Sequence, residues 1–321
     1  MDFSNNQVMS LPLLTIGMVT YNQEELVSNA IESVLNQSYT NFELLINDDY
    51  STDNTWNVIQ QYNDPRIHAV RNETNVYQYL NRNKVIERAK GKYLIFIDGD
   101  DLMYSFGVEY GIKILESNHD TAAIYTHFFR NNMVFPIKLT PREFIICQYF
   151  GNDFLGTALT TVIFKTEIVR KEGGFSNDYI SSDIFLRLKI SSKYPTIVTD
   201  FFFAWWRETP NQQSRRLDYA KMSYEQTEQM NEILNDSDCP ITLNEKKLAI
   251  RNNDRIIARR LLKLLLTFRF KEFYQLKKTF SFVVFKNIFS REIKFDELIF
   301  QGYSCLNPKT IKSNENPFAN N

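Results

Sequence analysis

Three carboxylates, Asp98, Asp100 and Asp101, follow directly on the apolar run Tyr93-Leu94-Ile95-Phe96-Ile97, with Gly99 among them. The run reads as a buried strand, and its end is therefore crowded with negative charge. Like charges this close repel or raise one another's pKa unless a cation lies between them, and hard divalent ions are held by carboxylate oxygens. Ligands of α/β sheets bind at strand ends. The cluster thus points to an ion gripping the diphosphate of a phosphorylated substrate. The competing reading is a solvated turn or helix cap, since Asp favours both and Gly99 suits a turn.

The surrounding pattern alternates strands and helices. Leu13 to Val19 predicts a first strand, Glu24 to Gln37 a helix with Leu26, Ala30, Val34 and Leu35 on one face, and Phe42 to Ile46 a second strand. Trp56, Val58, Ile59 and Tyr62 suit another helix, Arg66 to Val70 a third strand, and Tyr79 to Ala89 a helix stopped by Gly91. Such alternation implies a mostly parallel sheet with right-handed crossovers and helices on both faces. Beyond Leu102, strands are expected at Ala122 to Phe129, Thr160 to Phe164 and Thr196 to Trp206. A helix is expected at Ile184 to Ser191, and mostly helix from Tyr219 onward.

At 321 residues and 43% hydrophobic content the chain has room for one large catalytic domain and an appendage. Cys147, Cys239 and Cys305 are too few and too scattered for a disulfide framework or a zinc site, and His68, His119 and His127 fit no metal spacing. A reducing, cytoplasmic setting is expected. Met1 to Ser10 lacks the basic and apolar regions of a secretory signal. No stretch approaches the ~20 apolar residues needed to span a bilayer.

The net charge of −1 hides an asymmetry, because residues 246–294 hold 14 Lys and Arg against 3 Asp and Glu. Within them, Arg255 to Leu266 is an amphipathic helix, and Phe268, Phe270, Phe273, Tyr274, Phe280, Phe282 and Phe285 continue its aromatic, basic character. Such a helix docks on an anionic membrane or packs its apolar stripe inside the protein. No nucleic-acid module accompanies the charge, so nucleic acid is not an expected partner. An oligomer remains open.

Taken in order, the motifs resemble a family 2 glycosyltransferase of the GT-A type. They are Thr20-Tyr21-Asn22; Ser33 to Tyr39 before Asn41-Phe42-Glu43; Asp48-Asp49 with Ser51-Thr52-Asp53; Arg82-Asn83; Gly91-Lys92-Tyr93; and Asp98-Gly99-Asp100-Asp101. The resemblance covers residues 11–215, expected as a nucleotide-sugar-binding catalytic domain. A helical, basic region over 216–312 and a polar tail over 313–321 would follow.

The resemblance implies that Thr20, Tyr21 and Asp49 line the donor's base pocket with Arg82 close by, and that Asn22 also belongs to the donor-binding set. Asp98 and Asp100 would form the D-x-D pair, with Asp100 the direct ligand of Mn²⁺ or Mg²⁺. Asp183 would be the catalytic base and Arg207 a diphosphate contact. The implied reaction is metal-dependent, inverting transfer from a nucleotide sugar, a UDP-sugar by preference, to a cell-surface polysaccharide or glycolipid precursor. Peripheral attachment to the inner face of the cell membrane would suit a lipid-linked acceptor.

Three departures stand out: Tyr50 replaces the usual Gly after the paired aspartates, Ser182 replaces an acidic residue before Asp183, and Thr209 stands where a His is common. Other roles for the same residues are a helix N-cap for Asp183, a turn carboxylate for Asp49, core packing for Trp205 and Trp206, and a surface salt bridge for Arg207. Two further functions compete. A sugar nucleotidyltransferase would need a Gly-rich, basic opening loop, which is absent; a non-catalytic, membrane-associated nucleotide-sugar scaffold would need no base.

Overall fold

A computed structural model describes residues 11–127, 135–150, 154–208 and 219–279. Thr209, Phe280, Phe282, Phe285, Cys305, the first ten residues, the 215/216 boundary and the polar tail lie outside them. The chain divides into two compact units, Met1–Ile124 with Ala158–Asn177 and Phe201–Thr209, and Tyr125–Thr157 with Asp178–Asp200 and Pro210–Asn321.

The first stretch of chain runs β1 (Leu14–Thr20), α1 (Val27–Leu35), β2 (Phe42–Asp48), α2 (Thr55–Ile59), β3 (Ile67–Arg71), α3 (Tyr77–Arg88) and β4 (Tyr93–Asp98). Next come β5 (Leu102–Met103), α4 (Gly107–Glu116), β6 (Ala123–Thr126), β7 (Ile137–Leu139) and α5 (Pro141–Phe150). Then follow β8 (Val162–Lys165), α6 (Thr166–Lys171), α7 (Ser182–Lys193), β9 (Thr196–Thr199) and β10 (Ala204–Trp205). Helices α8 (Tyr219–Asn235), α9 (Leu243–Leu266) and α10 (Phe270–Thr279) complete the described chain.

In the first unit β3, β2, β1 and β4 lie side by side in that order and all parallel, with β8 antiparallel on β4. Every residue of β1 and β2 is buried, whereas edge strand β3 keeps alternate residues exposed. Helix α1 buries Val27, Ala30, Ile31 and Val34, the i, i+3, i+4, i+7 stripe of an amphipathic helix. The chain leaves β1 for β2 and β3 on one side and returns to β4 on the other. The strand order therefore reverses between β1 and β4.

Several expectations change. Helix α1 begins at Val27 rather than Glu24: the Leu26 and Val27 amides both bond the Gln23 carbonyl, at 3.0 and 2.9 Å, so the residues before Val27 form a turn, while the Gln23 and Glu24 amides bond Thr55 Oγ1 (2.7 Å) and Asp53 Oδ2 (3.1 Å). Gly91 does not terminate α3, whose cap residue Ala89 is already extended. A Cβ on Gly91 would lie 2.4 Å from the Thr15 nitrogen, so this glycine is required by close backbone approach instead. The expected strand Thr196 to Trp206 is two short ones, β9 and β10, interrupted where Phe203 packs edge-on against Phe201. Trp205 and Trp206 are 46% and 44% exposed, so neither is a core residue.

In the second unit β7 and β9 pair antiparallel, and Tyr125, Phe144 and Phe154 form an aromatic core with centroids 5.7 to 5.9 Å apart. Helix α9 starts with a capping box, Thr242 and Glu245, and Glu245 also takes a two-pronged ion pair from Arg142 of α5. Its buried stripe includes Ile257, Ala258, Leu261 and Leu264, while Ile256, Leu265 and Leu266 stay exposed. Part of the amphipathic stripe is thus packed inside the protein. Among the described residues no helix is long and apolar enough to cross a membrane.

Burial raises the pKa of Glu245, but hydrogen bonds from Arg142 and Thr242 outweigh it and hold the group near 2. A carboxylate with a lowered folded pKa stabilises above its unfolded value and loses that contribution as pH falls through the folded one. The wild type should therefore exceed Arg142→Leu in unfolding free energy at pH 7, by about 1–3 kcal/mol. In urea titrations that gap should shrink between about pH 4.5 and 2; a constant gap would show that the pair contributes nothing.

Candidate functional site

The carboxyl ends of β1, β2 and β4 gather the polar residues of the first unit. Thr20 sits level with Asp48, and Val19 level with Asp98, so three neighbouring strands finish together. The turn after β4 closes against the turn after β1 because position 99 has no side chain. A Cβ on Gly99 would lie 2.3 Å from Gln23 Oε1 and 2.8 Å from Thr20 Oγ1.

Of the paired aspartates, Asp48 is a structural group. It is fully buried, accepts the Ser51 amide at 3.1 Å and the Ser51 hydroxyl, and lies 3.3 Å from Arg71 Nε. Burial pushes its pKa up, against those bonds. Asp49 differs: its Oδ1 accepts Asn72 Nδ2 and the Val76 amide, both at 2.8 Å, while its Oδ2 has no partner among the described residues. Asn72 is held in turn by Asn81 and Lys84. One oxygen of Asp49 is fixed and the other is left to accept.

Tyr50 adopts φ +65°, the left-handed conformation that a Gly would take without strain. Its ring is braced by the Arg71 guanidinium, 5.4 Å from the centroid. Tyr21, directly after β1, is 45% exposed. Asn22, also left-handed at φ +53°, accepts the Thr52 amide on its Oδ1 at 2.8 Å, so its side chain ties two loops together.

Arg82 of α3 is buried and forms an ion pair with Asp98 Oδ1 at 2.5 Å, with a second bond to Gln78. Arg207 donates its amide to Asp101 Oδ1 (2.9 Å) and Nε–H to the Asp100 carbonyl (2.8 Å), stacking 5.3 Å from Trp205. Its backbone and side chain are thereby joined to the acidic turn.

Asp101 stands in the acidic cluster but outside the D-x-D pair. It is 1% exposed, and burial together with the charge of Asp98 pushes its pKa up to about 8. Its Oδ2 is buried with no hydrogen-bond partner. The signal available in the sequence was its membership of the acidic cluster; that Arg207 would reach it could not be read there.

A buried, unbonded Asp101 oxygen beside two further carboxylates fits a divalent ion. Among the described residues no three His, Cys, Asp or Glu side chains enclose an ion site. Mg²⁺ sites of another kind use one or two carboxylates completed by substrate phosphates. Asp100 and Asp98 would be the protein's share.

Asp183 lies in the second unit, in the first turn of α7, whose N-cap is Ser181. It is thus not the N-cap itself. Its Oδ2 meets Arg187 Nη2 at 3.0 Å, and Arg187 is wholly buried, bonded also to the Leu155 carbonyl.

Residues 15–173 match Glycosyl transferase family 2. The chain is 42% identical over 92 residues to the putative teichuronic acid biosynthesis glycosyltransferase TuaG of Bacillus subtilis, covering 28% of this chain and 36% of that protein. It is 31% identical over 156 residues to WfgD of Escherichia coli, a UDP-Glc:alpha-D-GlcNAc-diphosphoundecaprenol beta-1,3-glucosyltransferase, covering 48% and 61%. The matches span about a third to three fifths of such relatives' length.

In fold, the chain resembles S. aureus TarS 1-349 in complex with UDP-GlcNAc, at TM-score 0.63 and 18% identity over 83% of this chain and 79% of that one. It also resembles the mannosyltransferase PcManGT of Pyrobaculum calidifontis in complex with GDP-Man and Mn²⁺, at 0.57 and 16% over 88% and 89%. The chain carries a family 2 glycosyltransferase domain with a GT-A fold.

Gly99→Ala should push the acidic turn off the Thr20–Gln23 turn, costing about 1–3 kcal/mol of stability. Calorimetry should also show weaker UDP binding in the presence of Mn²⁺. Unchanged stability and binding would mean the two turns need not touch.

Proposed function

We propose that the protein is an inverting glycosyltransferase that moves one sugar from a nucleotide diphosphate sugar to a hydroxyl of a cell-surface polysaccharide or lipid-linked glycan precursor. The observation that carries this reading is the convergence of Thr20, Asp49, Arg82 and Asp98 to Asp101 on adjacent strand ends where the strand order reverses. Open α/β sheets take their ligands at that switch point.

A UDP-sugar is the preferred donor. The open carboxylate oxygen of Asp49 accepts an N–H, which the imino group of uracil supplies and the ring nitrogen of cytosine does not. Guanine and thymine also carry such an N–H, so GDP and dTDP sugars are the competitors. Tyr21 offers an exposed ring face for the base. Arg82 holds Asp98 in place, and Arg207 ties the Asp100 backbone to Trp205.

Asp100 and Asp98 would hold a Mg²⁺ or Mn²⁺, which would supply positive charge against the departing diphosphate. Asp183 takes the proton of the acceptor hydroxyl as its oxygen attacks the anomeric carbon. The bond from that carbon to the phosphate oxygen breaks, and the nucleoside diphosphate leaves from the opposite face. The glycosidic bond forms with inverted configuration.

WfgD's name gives a diphosphoundecaprenol-linked acceptor, which supports a lipid-linked acceptor here. Residues 246–294 would then rest peripherally on the cytoplasmic face of the membrane. Leu266, Phe268 and Tyr274, exposed by 67%, 77% and 65% beside Lys263, Arg269 and Lys271, support this contact.

The first test is a thermal-shift screen of nucleotide sugars with and without Mn²⁺, followed by nucleotide release from the best binder. A UDP-sugar should raise Tm, more with Mn²⁺, because a ligand specific to the folded state stabilises it. Asp100→Asn and Asp183→Asn should each lower turnover by about 10²-fold or more, only the first weakening Mn²⁺-dependent binding. No binding to any donor would sink the reading. For the membrane contact, the full chain should sediment with phosphatidylglycerol vesicles and not with phosphatidylcholine vesicles, and salt should release it. Equal sedimentation with both would rule it out.

A further inference from the structure

Three residues on one face of α8, spaced i, i+4 and i+7, hold the segment that leads into α7. Glu225 Oε2 accepts the Ile180 amide at 2.6 Å. Gln229 Nε2 donates to the Ser181 carbonyl at 3.2 Å and to the Ser181 hydroxyl at 3.1 Å. Glu232 Oε2 accepts the Tyr179 hydroxyl at 2.9 Å. Every residue from Tyr179 to Ser181 is thus fixed to the same helix.

Two of these contacts are made in the interior. Glu225, Gln229 and Ser181 are 6%, 1% and 5% exposed. A carboxylate and an amide are costly to bury unless they are bonded, so their presence calls for a reason. Apolar packing would have joined α8 to α7 at lower cost. Gln229 Oε1 and Ser182 Oγ are left buried without partners, which shows that local polar satisfaction is not the outcome.

What the clamp does fix is the entry to α7. The Ser181 carbonyl that receives Gln229 also accepts the Ile184 and Phe185 amides, at 3.1 and 3.2 Å, and so opens the helix. Asp183 stands in that first turn. Behind it, buried Arg187 bonds both its carboxylate and its carbonyl, at 3.0 and 3.2 Å. The carboxylate is therefore set by two anchors, the α8 clamp on its backbone and Arg187 on its side chain.

We infer that Glu225 and Gln229 are positioning residues for the transfer step: they hold the Ile180–Ser181 turn so that the Asp183 carboxylate keeps one direction. The inference rests on the base role proposed for Asp183. It assigns part of the catalytic geometry to α8, a helix beyond residues 15–173 that match the family. Displacing a reacting group by about 1 Å can cost up to ~10²-fold in rate, so loss of either anchor should act on turnover. Donor affinity, governed by residues of the first unit, should be spared.

The test uses the full chain with Mn²⁺ and measures UDP release from the nucleotide sugar that turns over fastest in the donor screen. It compares wild type, Asp183→Asn, Glu225→Leu, Glu225→Gln and Gln229→Leu. Glu225→Leu and Gln229→Leu should each lower kcat by about tenfold or more with KM and calorimetric UDP affinity unchanged. Glu225→Gln keeps an acceptor for the Ile180 amide and should retain most of the activity.

If Asp183→Asn abolishes turnover while both leucine variants match wild type, the positioning role is overturned and the base assignment stands. If Asp183→Asn is as active as wild type, the base assignment itself fails. Equal losses in Glu225→Gln and Glu225→Leu, or losses of kcat matched by weaker UDP binding, would mark a general structural contribution and overturn the inference.

Discussion

Negative charge brought together at the ends of parallel strands is the constraint around which the first unit is arranged. Parallel neighbours necessarily finish on the same side, so the register of β1, β2 and β4 delivers Thr20, Asp48 and Asp98 to one edge. Backbone carboxyl ends and side-chain carboxylates then share a small, partly buried region. Arg82, the Arg207 amide and the Ser51 hydroxyl compensate some of that charge. The raised pKa of Asp101 and its unpartnered oxygen mark what remains uncompensated.

The compensation divides the acidic residues by function. Asp48, Asp49 and Asp101 are buried: Asp48 spends both oxygens on Ser51 and Arg71, Asp101 gives one to the Arg207 amide, and Asp49 keeps one open, whereas Asp98 and Asp100 are only partly buried. Buried carboxylates with fixed donors stiffen the turns, and the more accessible ones are then presented in a set direction. The left-handed backbone at Asn22 and Tyr50 belongs to the same economy of space, since two loops close over one edge. Strain of that kind persists where the surroundings over-determine it. Here the Asn22–Thr52 bond and the Arg71 stack on Tyr50 do so.

The second unit solves a different problem, the placement of Asp183 and the burial of basic helices. Arg187, Arg142 and Arg255 each find oxygen partners inside it. The guanidinium group suits this because its planar fork can serve several acceptors at once. Helix α9 is consequently basic on paper but partly interior in fact. Asn252 bonds the Tyr149 carbonyl and Arg255 bonds Asn252, while Leu265 and Leu266 face outward.

The strands from Leu14 to Asp98 and the acidic turn were legible in the sequence because they depend on local apolar runs and on Asp and Gly in neighbouring positions. Parallel pairing followed from the alternation of strands with helices. Other features depended on residues far apart in the chain. Nothing near Gly91 announces the Thr15 backbone that excludes a side chain there, and nothing near Asp101 announces Arg207. The division of Thr196 to Trp206 into two strands had one local signal, the polar pair Thr199-Asp200 where the first strand ends, but which strand each half would pair with was not readable there. Sequence patterns report periodicity and composition over a few residues. The direction of a carboxylate, the partner of a buried arginine and the reason for a glycine are set by whatever the folded chain brings against them.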